Sequence, residues 1–181
     1  MSAGHDSNDC RRTLLAVDIG VRTGLALYNE AGRLEWYRSQ NFGQAGRLRR
    51  AVPGFLRELP AGSLLVLEGG GHLADIWKSF ADRYGLVYLQ VQAEEWRSVL
   101  LPPRNRRSGT LAKHSALVLA RQVIEWSGAK RPTSLRDDAA EAILVGFWGV
   151  LKVGWLQGPA LAEGASQVDR FLISSMIRRK K

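Results

Sequence analysis

Five acidic side chains occupy apolar or glycine-rich settings. Asp18 ends the run TLLAVD, Glu68 ends LLVLE just before three glycines, and Asp137, Asp138 and Glu141 open the segment DDAAEAIL. Two carboxylates roughly 4 Å apart repel by about 4 kcal/mol at an effective dielectric of about 20, so gathering several requires a compensating positive charge. Oxygen-only donors select a hard divalent cation, magnesium with manganese as the alternative. Two such ions about 4 Å apart can activate a water and stabilise the leaving oxygen of a phosphodiester. Each acid also has a plainer reading. Asp18 can cap a turn at Gly20, Glu68 can be an exposed loop residue, and Asp137 and Asp138 can simply favour a helix dipole. Their joint placement, at two strand ends and one helix start of a basic chain, favours the chemical reading.

The elements that must position these acids are legible as patterns. Residues 13–18, 23–28 and 33–39 read as strands joined by short turns, which implies an antiparallel meander. Residues 44–59 have helical spacing, with Pro53 and Gly54 as possible breaks. A strand at 63–67, an amphipathic helix at 73–84, a strand at 86–91 and a short helix at 94–100 follow. A basic loop at 102–109 precedes a helix at 110–126 with Thr110 as its cap. A second basic loop, 128–136, leads to a long helix at 137–151. The expected fold is α/β: a mixed sheet of a three-stranded antiparallel meander plus two parallel strands, flanked by helices. If the first and fourth strands are parallel neighbours, Asp18 and Glu68 meet at one sheet edge, where open α/β sheets bind ligands. On the last helix Ala140, Leu144, Phe147 and Leu151 define a core stripe with Glu141 at its edge. Asp137 and Asp138, four and three residues earlier, can each share the face of Glu141, and periodicity slightly favours Asp137.

The 181 residues suit one domain, expected at 13–158 between a flexible tail (1–12) and a basic extension (159–181). A composition of 45% hydrophobic and 24% charged residues excludes a fully disordered or collagen-like chain. The lone cysteine, Cys10, excludes an internal disulfide and a cysteine-cluster metal site. The net charge of +9 is unevenly spread. Residues 1–95 balance eleven basic against eleven acidic side chains, whereas residues 96–136 hold nine basic ones against Glu125 alone. Such a stripe fits a polyanion held through counterion release, although a solvated basic surface is the plainer reading. Arg104, Arg106, Arg107, Lys113, Arg121, Lys130 and Arg131 are the candidate nucleic-acid contacts. The first residues lack the apolar middle of a secretory signal, and the greasy run 143–156 carries Lys152, so the expectation is a soluble, cytoplasmic protein without a membrane partner.

At these residues the chain resembles the RuvC-like branch of the RNase H-like nuclease superfamily. The matching segments are LAVDIGVRTGLAL (15–27), LLVLEGGG (64–71) and DAAEAILVGFW (138–148). The resemblance implies magnesium-dependent cleavage of Holliday junctions by a homodimer, for DNA recombination and repair. It implies two ions per site, Asp18 bridging both, Glu68 binding one, and Asp138 with Glu141 completing the set. The family's fourth acid is aspartate where this chain has Glu141, and Asp137 is an extra acid beside the motif. Lys113 resembles a family position that contacts the scissile phosphate, with His114 as a substitute. An aromatic wedge carried by some members is unmatched, because Gly71 occupies that place.

Other readings remain beside this one. A ribosomal-RNA-processing nuclease of the same fold shares the glycine turn and the final helix motif, and the basic stripe serves RNA equally. Single-strand or flap cutting also suits the scaffold. Actin-like and sugar-kinase ATPases share a DIGVRTG-like loop but need two lobes and a second such loop. A non-catalytic nucleic-acid-binding module would have little use for intact acids. The histidines His5, His72 and His114 lack metal-ligand spacing, no P-loop or GxSxG elbow is present, and Trp148 and Trp155 suit core or a dimer face. The terminal RRKK suits unspecific phosphate contacts.

Overall fold

A computed structural model describes residues 12–156. Cys10, His5, most of the expected tail and the 159–181 extension lie outside the described residues. Strands β1 (Thr13–Asp18), β2 (Arg22–Asn29), β3 (Leu34–Asn41), β4 (Leu64–Glu68) and β5 (Val87–Val91) form one sheet in the order β3-β2-β1-β4-β5. The first three are antiparallel neighbours, and β1–β4 and β4–β5 are parallel pairs, as the sequence predicts. Among the described residues, five helices flank the sheet: α1 (Ala45–Leu56), α2 (Gly71–Arg83), α3 (Ala93–Leu100), α4 (Gly109–Ser127) and α5 (Asp137–Lys152).

Alternation along the strands divides the core in two. Leu15, Val17, Leu65 and Leu67 pack with Leu48 and Val52 of α1 and Trp77 of α2. Leu14, Ala16, Ala26, Tyr28 and Val66 face the other way and pack with α4 and α5. Successive strand residues point to opposite faces, so Asp18 follows Leu14 and Ala16, and Glu68 follows Val66, onto the α5 face.

The last helix departs from its expected stripe. Ala139, Ala140 and every residue from 142 to 150 are buried, while Leu151 is only half-buried. A helix apolar on all sides belongs inside the protein, and α5 lies between the sheet and α4. Glycines let it lie close. A Cβ at Gly146 would stand 2.4 Å from the Tyr28 ring, and one at Gly149 would stand 3.0 Å from Val66. The Tyr28 hydroxyl donates to the Ile143 carbonyl at 2.6 Å, which fixes the helix along its axis.

Local differences have local causes. Helix α1 continues through Pro53, held by the buried row Leu48, Val52 and Leu56. The cap of α4 is Ser108, whose hydroxyl accepts from the Leu111 amide at 3.2 Å, and Thr110 lies within the first turn. The first basic loop contains a short 3₁₀ turn, Pro103–Arg106.

Candidate metal centre

One row across the sheet sets the site. Ser39 pairs with Gly24, Gly24 with Asp18, and Asp18 with Glu68. Gly24 is the gap on which α5 rests, since a Cβ there would lie 1.9 Å from the Asp138 carbonyl oxygen. From that seat, one turn of helix carries Glu141 toward the two strand-end acids. Asp18, Glu68 and Glu141 each offer a carboxylate oxygen within 4.8 Å of the others.

The remaining acids are placed differently. Asp138 Oδ2 accepts a hydrogen bond from the Ser39 hydroxyl, and its Oδ1 accepts from the Ala139 amide at 3.0 Å. It stands beside the triad, close enough for its charge to act on Asp18. Asp137 is exposed, which reverses the slight periodicity preference for it over Asp138. With α5 buried on nearly every side, contact with Gly24 fixes the facing residue of its first turn, and that residue is Asp138.

The triad carries more negative charge than the one guanidinium shown to act on it, Arg97, can offset. Burial, then the charges of Glu68, Glu141 and Asp138, push Asp18 up to about 8. Burial, then Glu141, push Glu68 up to about 7. Glu68 is only 7% exposed, and its buried Oε2 has no hydrogen-bond partner. The Trp96 indole N–H lies close enough to lower the Glu68 pKa in part, but it does not complete a hydrogen bond. Arg97 opposes the rise at both acids and donates to Glu141 Oε1 at 2.7 Å. Mutually repelling oxygen donors and an orphaned carboxylate oxygen fit a hard divalent cation.

The candidate nucleic-acid contacts lie on the surface. Arg104, Arg106, Arg107, Lys113, Arg121 and Lys130 are exposed, and Arg131 bonds Glu125 at 2.7 Å. A groove of about 360 Å³, bordered by Leu101, Arg104, Leu111, His114 and Val118, holds none of the acids. His72 is exposed, and Trp148 is buried in the core. Sequence reasoning passed over Ser39 and Trp96 and counted Arg97 only as part of the basic stripe. No local pattern marks them, because their partners stand in segments distant along the chain.

No protein-family model and no curated protein matches the sequence. Solved structures do match. RuvC of T. thermophilus, in complex with a Holliday junction substrate, is similar with a TM-score of 0.53 and 15% identity, covering 80% of this chain and 97% of that one. The fold is RNase H-like. The catalytic core domain of BIV integrase is also similar, with a TM-score of 0.33 and 11% identity over 94% of this chain and 99% of that one. Within this RNase H-like frame, the acids stand at the carboxyl ends of β1 and β4 and in the opening turns of α5. Among the described residues, no helix is long and apolar enough to cross a membrane.

Proposed function

We propose that the chain is a metal-dependent endonuclease that cuts branched DNA, with the four-way junction as its principal substrate. The observation that carries the reading is the convergence of Asp18, Glu68 and Glu141 from three separate segments onto one sheet edge. Asp18 pairs in register with Glu68 and also lies within reach of Glu141, so it can share a cation with either acid. Glu68 supplies a buried oxygen with no other partner, and Glu141 closes the cluster from α5. Asp138, tied to Ser39, stands ready as a fourth carboxylate. Magnesium, or manganese in its place, would supply an activated water and neutralise charge on the cleaved phosphodiester, most economically as two ions.

Basic residues hold the polyanion. Arg104, Arg106 and Arg107 track backbone phosphates, while Lys113, opening α4, takes the phosphate being cut. Lys130 and Arg131 extend the cationic surface beside β3. Two symmetric cuts in a four-way junction call for a homodimer, each copy bringing one centre. In-line attack of water on phosphorus with cleavage of the P–O3′ bond would leave a 5′-phosphate and, after protonation of the departing oxygen, a 3′-hydroxyl.

Labelled four-way junction, duplex, flap and RNA–DNA hybrid, each incubated with and without magnesium beside a Glu68→Gln control, test the reading. Paired symmetric cuts confined to the junction, dependent on metal and lost in the control, are expected. Cleavage of RNA alone would move the protein to RNA processing. Tight binding with no cleavage of anything would overturn the enzymatic reading.

A further inference from the structure

We propose that Arg97 is the positioning residue of the metal centre, holding Glu141 in the orientation from which it takes a divalent cation together with Asp18 and Glu68. This inference rests on the metal-dependent reading above and extends it to a side chain outside the acid set.

The Arg97–Glu141 pair is built unlike a surface contact. Arg97 Nη2 lies 2.7 Å from Glu141 Oε1, and the two side chains are only 25% and 16% exposed. The Arg131–Glu125 pair has the same 2.7 Å separation, but its side chains are 74% and 59% exposed. Solvent screens the exposed pair and leaves it little energetic or orienting value, whereas the sheltered pair keeps its direction.

The preceding residue addresses a second ligand. Trp96 is fully buried, and its indole N–H lies near Glu68 without completing a hydrogen bond. Two consecutive residues of α3 therefore reach two of the three clustered acids. The helix that carries them is itself fixed. The Gln92 amide donates to Glu95 Oε1 at 3.2 Å across its first turn, and Trp96 and Leu100 anchor it in the core. The Arg97 guanidinium carbon also sits 5.1 Å from the Trp96 ring centroid, which limits its swing.

The chemistry follows from the geometry. A guanidinium bound to Oε1 of Glu141 fixes the rotation of that carboxylate and leaves Oε2 for a cation. Its charge also offsets repulsion among acids that would otherwise splay apart. Partners that orient ligating carboxylates and imidazoles typically set metal affinity by about 10–100-fold.

Calorimetric titration of the full chain with manganese, in the absence of nucleic acid, reads this directly. Arg97→Gln should weaken manganese binding by about 10–100-fold while the melting temperature measured in chelator stays close to the parent value. Arg97→Lys should recover part of the loss, because an ammonium restores the charge but not the planar fork. In a Glu141→Gln background, Arg97→Gln should have little further effect, since both changes remove the same ligand contribution. Unchanged or tighter manganese binding in Arg97→Gln, or an equal further loss in the Glu141→Gln background, overturns the assignment. If Arg97→Gln fails to fold, Arg97→Lys and the single Glu141→Gln change still decide it: parent-like binding in the lysine variant refutes a geometric role. A parent protein that binds no manganese overturns the metal-centre reading and this inference together. Intact manganese binding and the expected Arg97 effect without any nuclease activity would overturn the proposed function alone.

Discussion

The acidic edge and the basic stretch are built on opposite principles. The acids come from β1, β4 and α5, and the whole core is needed to bring them within 4.8 Å of one another. The cations come from one stretch, 96–136, and most stand on exposed turns and helix surfaces. Like charges that are buried and close together cost free energy, while like charges spread over a solvated surface cost little. The acidic edge is therefore a strained, specific device, and the basic stretch is a tolerant one. Removing an acidic charge from the first should lower activity and raise metal-free stability, and changes among the exposed cations of the second should alter binding alone.

The largest effect should come from Asp18→Asn. Junction cleavage should fall by at least about 10³-fold, on the scale of losing a central catalytic group, while junction affinity stays near the parent value. Parallel cleavage and gel-shift assays check both halves. Equal loss of cleavage and binding would erase the contrast between the two regions.

Next in size is Gly24→Ala. Its new Cβ would collide with the Asp138 carbonyl, so α5 must lift from the sheet. Overpacking of this kind costs about 1–3 kcal/mol, and it should lower the melting temperature and manganese affinity together. A variant as stable as the parent would mean that α5 is not seated through this gap.

Much of this arrangement was legible in the sequence. The alternation Leu14, Ala16, Asp18 placed one acid on a defined face, and Val66, Glu68 did the same for its neighbour. The meander and the parallel pair followed from short turns and then a helix-length crossover. The seating of α5 was harder to read. Its run AILVGFWGV is apolar on every side, so a stripe drawn through it had no physical basis, and Gly24 gives no sign of its partner. Arg97–Glu141 and Ser39–Asp138 were invisible for a related reason: they join segments 44 and 99 residues apart. Helix starts were misjudged where two candidates lay close, as with Ser108 and Thr110, because either hydroxyl suits a cap.

Charge reversal at Arg106 and Arg107 probes the tolerant region. Binding to all substrates should weaken, and the slope of log affinity against log salt should become shallower by about 0.9 for each phosphate that is no longer neutralised. Stability should stay within about 0.5 kcal/mol of the parent, as for other surface changes. Unaltered affinity in filter binding across a salt series would reduce this loop to a solvated surface.

The smallest effect concerns the metal-free protein. Asp18 and Glu68 have folded-state pKa values raised to about 8 and about 7, above the ordinary carboxylate range. The folded protein therefore holds protons that the unfolded chain has released, and the stabilisation they give is lost as pH rises through these values. Thermal melts in chelator should show a decline of several degrees between pH 6 and roughly pH 9. Excess magnesium should flatten that decline, and Glu68→Gln should also reduce it while abolishing cleavage. A metal-free melting temperature that rises across this range would contradict the strain assigned to the acidic edge.

The most direct test is the position of a bound ion. Crystals of the full chain soaked in manganese and measured near the manganese absorption edge would locate it by anomalous scattering. The account requires a peak among the carboxylates of Asp18, Glu68 and Glu141, with Arg97 still on Glu141. A peak elsewhere, or none at saturating manganese, would contradict it.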